Sequence, residues 1–161
     1  MGQHRQILLQ NINQPDQHTL AGYESRGGYV AIQKALKMDP LAIIEEVKKS
    51  GLRGRGGAGF PAGQKWSFVP RNGAKPTYIV CNADESEPGT FKDRLLMERD
   101  PHAMIEGMMI AALSVQSHWM CVYIRGEYAY PYTKLQEAVE ECYAKGYLGK
   151  KIFGSDYALD L

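Results

Sequence analysis

Apolar positions at Ile43, Ile44 and Val47 recur at helical spacing between two punctuation signals, Asp39-Pro40 and Gly51. Asp39 can accept from a first-turn amide, Pro40 fits the first turn, and Gly51 can close the helix in the left-handed conformation. A shorter helix is expected near Tyr29 to Lys37, after Gly27-Gly28, with Ile32, Ala35 and Leu36 on one face. Thr77 to Cys81 is a β-branched apolar run bounded by Lys75-Pro76 and Asn82, which predicts a buried strand. Asp100-Pro101 repeats the cap-plus-proline signal and opens a helix to about Val115. That helix is apolar almost all round (Met104, Ile105, Met108, Met109, Ile110, Leu113), so deep packing is expected.

Met120 to Ile124 reads as a second buried strand. Thr133 and Gln136 have the spacing of a capping box for a stripe of Leu135, Ala138, Val139, Cys142 and Tyr143 that ends at Gly146. Ile152-Phe153 and the tail after Tyr157 are compatible with the start of another strand. Residues 1–20, polar around Asn13-Gln14-Pro15-Asp16, read as an extended arm. Strand, helix, strand, helix is the order of a parallel sheet joined by crossovers, so the expected class is α/β, a Rossmann-like parallel sheet flanked by helices. Ligands in such sheets bind beyond the carboxyl ends of the strands. Those ends fall at Asn82-Ala83-Asp84-Glu85 and at Arg125-Gly126-Glu127.

Composition adds exclusions. A net charge of +1 leaves no bulk basic field for nucleic acid or an acidic membrane, yet Arg53, Arg55 and Lys65 cluster locally. A local cluster within a neutral total suits a small anionic ligand. No apolar run approaches the length needed to cross a bilayer, and the N-terminus lacks a signal-peptide core, so a chain that is not exported is expected. Cys81, Cys121 and Cys142 are widely spaced, without a C-x-x-C, so no metal site is assigned and buried reduced thiols are expected, as in the cytoplasm. His4, His18, His102 and His118 have no ligand or triad spacing; His102, just inside a helix start, reads as structural.

The densest chemistry lies between Gly51 and Trp66. Six glycines in thirteen positions (51–63) suit a backbone that turns tightly and approaches a ligand closely, with successive amides converging on a phosphate. Phe60, Trp66 and Phe68 offer flat surfaces for a ring. Gly63-Gln64-Lys65-Trp66 fails the triphosphate-loop pattern. Gly54-Arg55-Gly56-Gly57-Ala58-Gly59 matches G-x-G-x-x-G in form, but a helix precedes it and Pro61 interrupts the segment after it, so it is not an ordinary Rossmann turn. The competing reading is a flexible surface loop.

A second constellation runs from Asn82 to Arg94. Asp84, Glu85 and Glu87 put three carboxylates in four residues at a strand end, which repel phosphate but can accept from ribose hydroxyls, a ring imide or an amide, or hold a hard cation. A solvated acidic turn, with Pro88-Gly89, accounts for them equally well. Arg125-Gly126-Glu127-Tyr128 reads as a surface turn with an ion pair.

Taken together, Gly51 to Phe68 and Asn82 to Arg94 closely resemble the FMN- and NADH-binding subunit of bacterial respiratory complex I. Similar segments occur in the diaphorase subunits of NAD-linked hydrogenases and formate dehydrogenases. Met97 to His102, Ile105-Glu106-Gly107 and Ile124 to Tyr128 support the resemblance, which spans nearly the whole chain. It implies an N-terminal arm and short helix over 1–38 and an FMN/NADH-binding α/β domain over 39–161. It also implies that Gly54, Arg55, Gly56, Gly57, Ala58, Gly59, Phe60, Pro61, Ala62 and Gly63 line the NADH site. Phe60 and Phe68 would stack on the adenine, and Lys65 would contact the cofactors through its charge. Asn82 and Asp84 would hydrogen-bond FMN, while Glu85 and Glu87 would lie near the flavin ring and the incoming NADH as the catalytic carboxylates.

The activity so implied is hydride transfer from NADH to FMN, with electrons passing to iron–sulfur centres of partner subunits. The setting would be the cytoplasmic side of the inner membrane, reached through those partners. Negative charge beside the ring would lower the flavin potential, and Ala62 stands where the family commonly has Thr. Family members also carry a further flavin-contacting Gly-Glu loop, a ubiquitin-like domain and a helical bundle with cysteines for a [4Fe–4S] cluster. The sequence reaches none of these, so the resemblance implies an incomplete domain, and a non-catalytic nucleotide-binding or assembly fragment is the reading from a different class.

Overall fold

In order along the chain, the elements are α1 (Leu20–Ser25), α2 (Val30–Ala35), α3 (Pro40–Ser50), α4 (Ala62–Ser67), β1 (Ile79–Ala83), α5 (Lys92–Arg99), α6 (Pro101–Val115), β2 (Met120–Ile124) and α7 (Ala129–Lys145). The computed structural model describes residues 6–73 and 75–161; the first five residues of the expected arm lie outside them.

α3 begins where Asp39 accepts from the Leu41 amide at 2.8 Å and ends at Gly51, whose φ of 68° is left-handed. Ile43 and Ile44 are buried on its inner side. Asp39→Ala is expected to lower stability by about 1 kcal/mol, the usual loss for an N-cap. Chemical denaturation checks this, and an unchanged midpoint would show that the cap is dispensable.

β1 and β2 are parallel and paired in step from Ile79 with Met120 to Ala83 with Ile124, with α5 and α6 in the crossover between them. α6 is the central helix. Its Ile105, Met109 and Ala112 are fully enclosed against Tyr29 and Ile32 of the α2 region, Ile43 of α3, Met120 of β2, and Ala138 and Cys142 of α7. The all-round apolar pattern of α6 thus matches its burial. The tail does begin to extend the sheet, because the Met120 amide donates to Asp160 O (2.8 Å) and the Asp160 amide to His118 O (3.1 Å), as a third parallel partner would. Ile152–Gly154 is a single 3₁₀ turn.

Five local expectations are corrected. The strands are not buried on both faces: Ile79, Cys81, Ala83 and Val122 pack inward, whereas Val80 is 60% and Tyr123 64% exposed. Among the described residues, helices cover only one face, so the runs behave as half-buried strands, and Cys81 and Cys121 are only partly enclosed. All three cysteines are free; burial raises the Cys81 thiol and pushes that of Cys142 up to about 11. Thr133 is not a cap, since α7 starts four residues earlier and the Thr133 hydroxyl donates back to Ala129 O. Asp100 does not cap α6 through its side chain; its carboxylate accepts from the buried Gln17 amide at 2.9 Å. That contact, with Ile12 also buried, folds the arm into successive turns (Ile12 N to Leu9 O, Gln14 N to Asn11 O) rather than leaving it extended.

His102 is structural, as expected. Its Nδ1 meets the Tyr29 hydroxyl at 2.8 Å and its Nε2 meets Glu141 at 3.0 Å. Burial holds the imidazole below its ordinary pKa range, opposed by Glu141. Nearby, Glu106 accepts from the amides of Tyr29 (2.9 Å) and Ile32 (3.0 Å) and from the Tyr23 hydroxyl (2.5 Å), so one buried carboxylate serves the start of α2.

Candidate nucleotide site

The glycine-rich segment is a closed-neck loop between α3 and α4. Gly54 N donates to Phe60 O (2.9 Å), Ala62 N to Leu52 O (2.8 Å), and Arg53 Nη1 to Gly59 O (3.0 Å). Inside that neck, the amides of Arg55 to Phe60 have no acceptor among the described residues. Gly57 (φ 112°) and Gly59 (φ 60°) adopt conformations that L side chains rarely take, and a Cβ on either would meet only open space. The loop therefore needs glycine for its backbone path and leaves a run of donors uncommitted, the property expected of an anion cradle.

One expectation about this loop changes. Pro61 does not interrupt the helix after it: it occupies the position just before α4, where its missing N–H needs no partner. Gly63 then lets α4 approach α3 closely, because a Cβ there would lie 2.7 Å from Lys48 N and 3.1 Å from Ile44 O. The neighbouring rings of Phe60 and Phe68 meet at 6.2 Å between centroids and are 46% and 64% exposed. Arg55, Ala58 and Lys65 are exposed; Ala62 and Pro61 are partly covered. Lys65 also borders a cavity of about 510 Å³ between α4, β1 and α6, lined by Trp66, Cys81, Met104 and Met108 among others.

The acidic segment leaves the end of β1 as a turn. Asn82 Oδ1 accepts from the Asp84 amide (3.0 Å), Asp84 accepts from Ser86 Oγ (2.8 Å), and Glu87 O accepts from the Thr90 amide (3.2 Å). Asn82, Asp84 and Glu87 are exposed. Glu85 is different, only 4% exposed, with its carboxylate turned toward α5. Arg125 forms the expected ion pair with Glu127 (3.2 Å) and also reaches Glu85 O at 2.9 Å. This last contact and the helix α5 were not visible in the sequence, since neither follows a local pattern. Among the described residues, no three His, Cys, Asp or Glu side chains are grouped to hold a metal ion. No helix among them is long and apolar enough to cross a membrane.

Residues 47–158, which include both the loop and the turn, match the family model described as the Nuo51 FMN-binding domain. The chain belongs to this family. Over 152 residues it is 53% identical to an NADH-quinone oxidoreductase subunit of Rhizobium meliloti (strain 1021), covering 94% of this chain and 36% of that relative. The corresponding NADH-quinone oxidoreductase subunit of Aquifex aeolicus (strain VF5) is 51% identical over 155 residues, with 96% and 36% covered. The chain thus spans about a third of the length of the curated relatives it matches. Among solved structures, an NAD+-reducing [NiFe]-hydrogenase in its air-oxidized state is 34% identical with a TM-score of 0.68, covering 98% of this chain and 24% of that one. As its strand and helix order implied, the chain has an α/β architecture with a parallel sheet and helices.

The donor set suits a dinucleotide or flavin phosphate. Uncommitted amides, Arg55 and Lys65 are cationic or hydrogen-bond donating, and the space a Cβ would fill at Gly56, Gly57 and Gly59 is open. The acidic turn, by contrast, offers acceptors. The chain therefore separates a donor-rich loop from an acceptor-rich turn, the two polarities that phosphate and ribityl or ribose hydroxyls require.

Proposed function

We propose that this chain supplies FMN- and NADH-binding residues for the electron-input step of NADH:quinone oxidoreductase, with residues 39–161 as the binding unit. The observation that supports the reading most is the glycine-rich loop with its uncommitted amides from Arg55 to Phe60, within a segment that matches an FMN-binding family. The uncommitted amides of Arg55 to Phe60 donate to nucleotide phosphates, and the charges of Arg55 and Lys65 assist. Phe60 and Phe68 present exposed ring faces to the adenine. Asn82 and Asp84 hold flavin hydroxyls, and Glu87 faces the reacting rings. When bound, FMN supplies the two-electron acceptor that releases electrons singly to iron–sulfur centres of partner subunits. The chain's own contribution is orientation and electrostatics, with Glu87 keeping negative charge close to the ring. Attachment through such partners would place it on the cytoplasmic face of the membrane.

The quinone-oxidoreductase reading is favoured over a hydrogenase diaphorase because identity is 53% to the former and 34% to the latter. The test is to titrate the purified chain with FMN and with NADH, follow flavin fluorescence anisotropy, and then assay NADH-dependent ferricyanide reduction. Binding with reduction is expected. Binding without reduction would leave a non-catalytic nucleotide-binding fragment, and the absence of both would overturn the proposal. Within the same titration, Lys65→Ala is expected to weaken cofactor binding about 10-fold or more, because a charge-assisted contact is removed. Equal affinity in a folded variant would refute that role.

A further inference from the structure

We propose that Glu85 is a positioning residue: buried beneath the acidic turn, it fixes how Asp84 and Glu87 are presented rather than meeting a ligand itself. The proposal rests on the FMN- and NADH-binding function for its consequence, but its geometry stands independently.

α5 begins without a local cap, since Phe91 occupies the N-cap position and offers no acceptor. The first amides of a helix have no intrahelical partner. Here Glu85 supplies one from upstream: Oε1 accepts from the Asp93 amide and Oε2 from the Arg94 amide, each at 3.0 Å. A carboxylate at the positive end of a helix is also favoured by the helix dipole. Oε2 receives the Tyr128 hydroxyl at 3.4 Å, and Arg125 Nη1 donates to the Glu85 main-chain oxygen at 2.9 Å. One residue of the turn is therefore clamped both to the start of α5 and to the segment leaving β2.

Both carboxylate oxygens are occupied and the side chain is enclosed, so little of it remains for a cofactor. Asp84 and Glu87 are exposed and reach no comparable anchor among the described residues. Their placement follows from the residue between them and the strand behind them. Burial alone would raise the Glu85 carboxyl, but the Asp93 and Arg94 amides and the charge of Lys92 outweigh it and hold its pKa below the usual carboxylate range. The clamp is accordingly present at neutral pH and is released only when acid protonates the group below that range.

Glu85→Gln leaves one acceptor and sets an NH₂ group against a helix amide. The loss combines two effects, an uncapped α5 and an untethered turn, which a second substitution separates. Phe91→Asp places a carboxylate at the helix's own N-cap, restoring the cap without restoring the tether. The experiment compares wild type, E85Q and E85Q/F91D by denaturant unfolding, by FMN anisotropy, and by hydrogen exchange of the amides from Asp84 to Thr90. E85Q is expected to lose stability and about 10-fold in FMN affinity, the equivalent of one charge-assisted hydrogen bond. E85Q/F91D is expected to regain stability while its affinity stays low and its turn amides exchange faster than in wild type. Recovery of affinity together with stability would overturn the proposal, leaving Glu85 as a helix stabiliser only. If wild type binds no FMN, the functional reading fails by itself, and exchange in the double variant decides: faster turn exchange supports the clamp, and wild-type exchange overturns it.

Discussion

Replacing Glu106 by alanine is expected to lower the free energy of unfolding by about 3–5 kcal/mol, a large fraction of what a domain of this size possesses. The residue is enclosed within α6 and serves three donors: the amides of Tyr29 and Ile32 and the hydroxyl of Tyr23. Alanine leaves all three without their acceptor in a space too packed to admit ready substitutes, and buried unsatisfied groups are the costly ones. Tyr29 feels the change most, because its backbone already holds a left-handed φ of 61° and its side chain is fully enclosed. Glu106→Gln keeps one acceptor and should fall between wild type and alanine. Urea unfolding measures both, and a loss below about 1 kcal/mol for alanine would show that the α2 amides find other partners.

Gly63→Val is the second large effect, and it connects packing to the nucleotide loop. A Cβ at this position would stand 2.7 Å from the Lys48 backbone nitrogen and 2.8 Å from its Cγ. The side chain can move aside, but the α3 backbone cannot without displacing one helix from the other. Overpacking of this kind costs about 1–3 kcal/mol. The same displacement alters the neck at Ala62 N and Leu52 O, so NADH and FMN affinity should fall with stability. Full stability would show that α4 tolerates a wider separation. Lost stability with unchanged nucleotide affinity would separate the loop's geometry from the helix that succeeds it.

The parts legible in the sequence were those written locally. Asp39-Pro40 and Gly51 punctuate α3, Met120 to Ile124 bound β2, and Gly146 ends α7 in the left-handed conformation (φ 75°). Likewise, the glycine spacing predicted an unusual loop because positive φ at Gly57 and Gly59 is a property of residue type. The features that escaped were those that depend on distant residues. An apolar run cannot say whether one or both faces of its strand are covered, so the exposure of Val80 and Tyr123 has no local signal. Thr133-Gln136 has capping-box spacing, yet the residues from Ala129 onward were already helical. The site divides in the same way. Residue types marked the loop and the acidic turn, while the inward rotation of Glu85 came from α5, Arg125 and Tyr128.

The way α1 and α2 are capped has a kinetic consequence. Each has only six residues, too short to persist alone in water. The Leu20 amide at the start of α1 is held by Glu141 of α7, and the Tyr29 and Ile32 amides of α2 are held by Glu106 of α6. These acceptors arrive from 74 to 121 residues further along. The N-terminal helices should therefore form late on the folding pathway, with substitutions there mainly accelerating unfolding and leaving the refolding rate nearly unchanged. During synthesis, that segment emerges before α6 and α7 and must wait, without stable structure, for the helices that complete it.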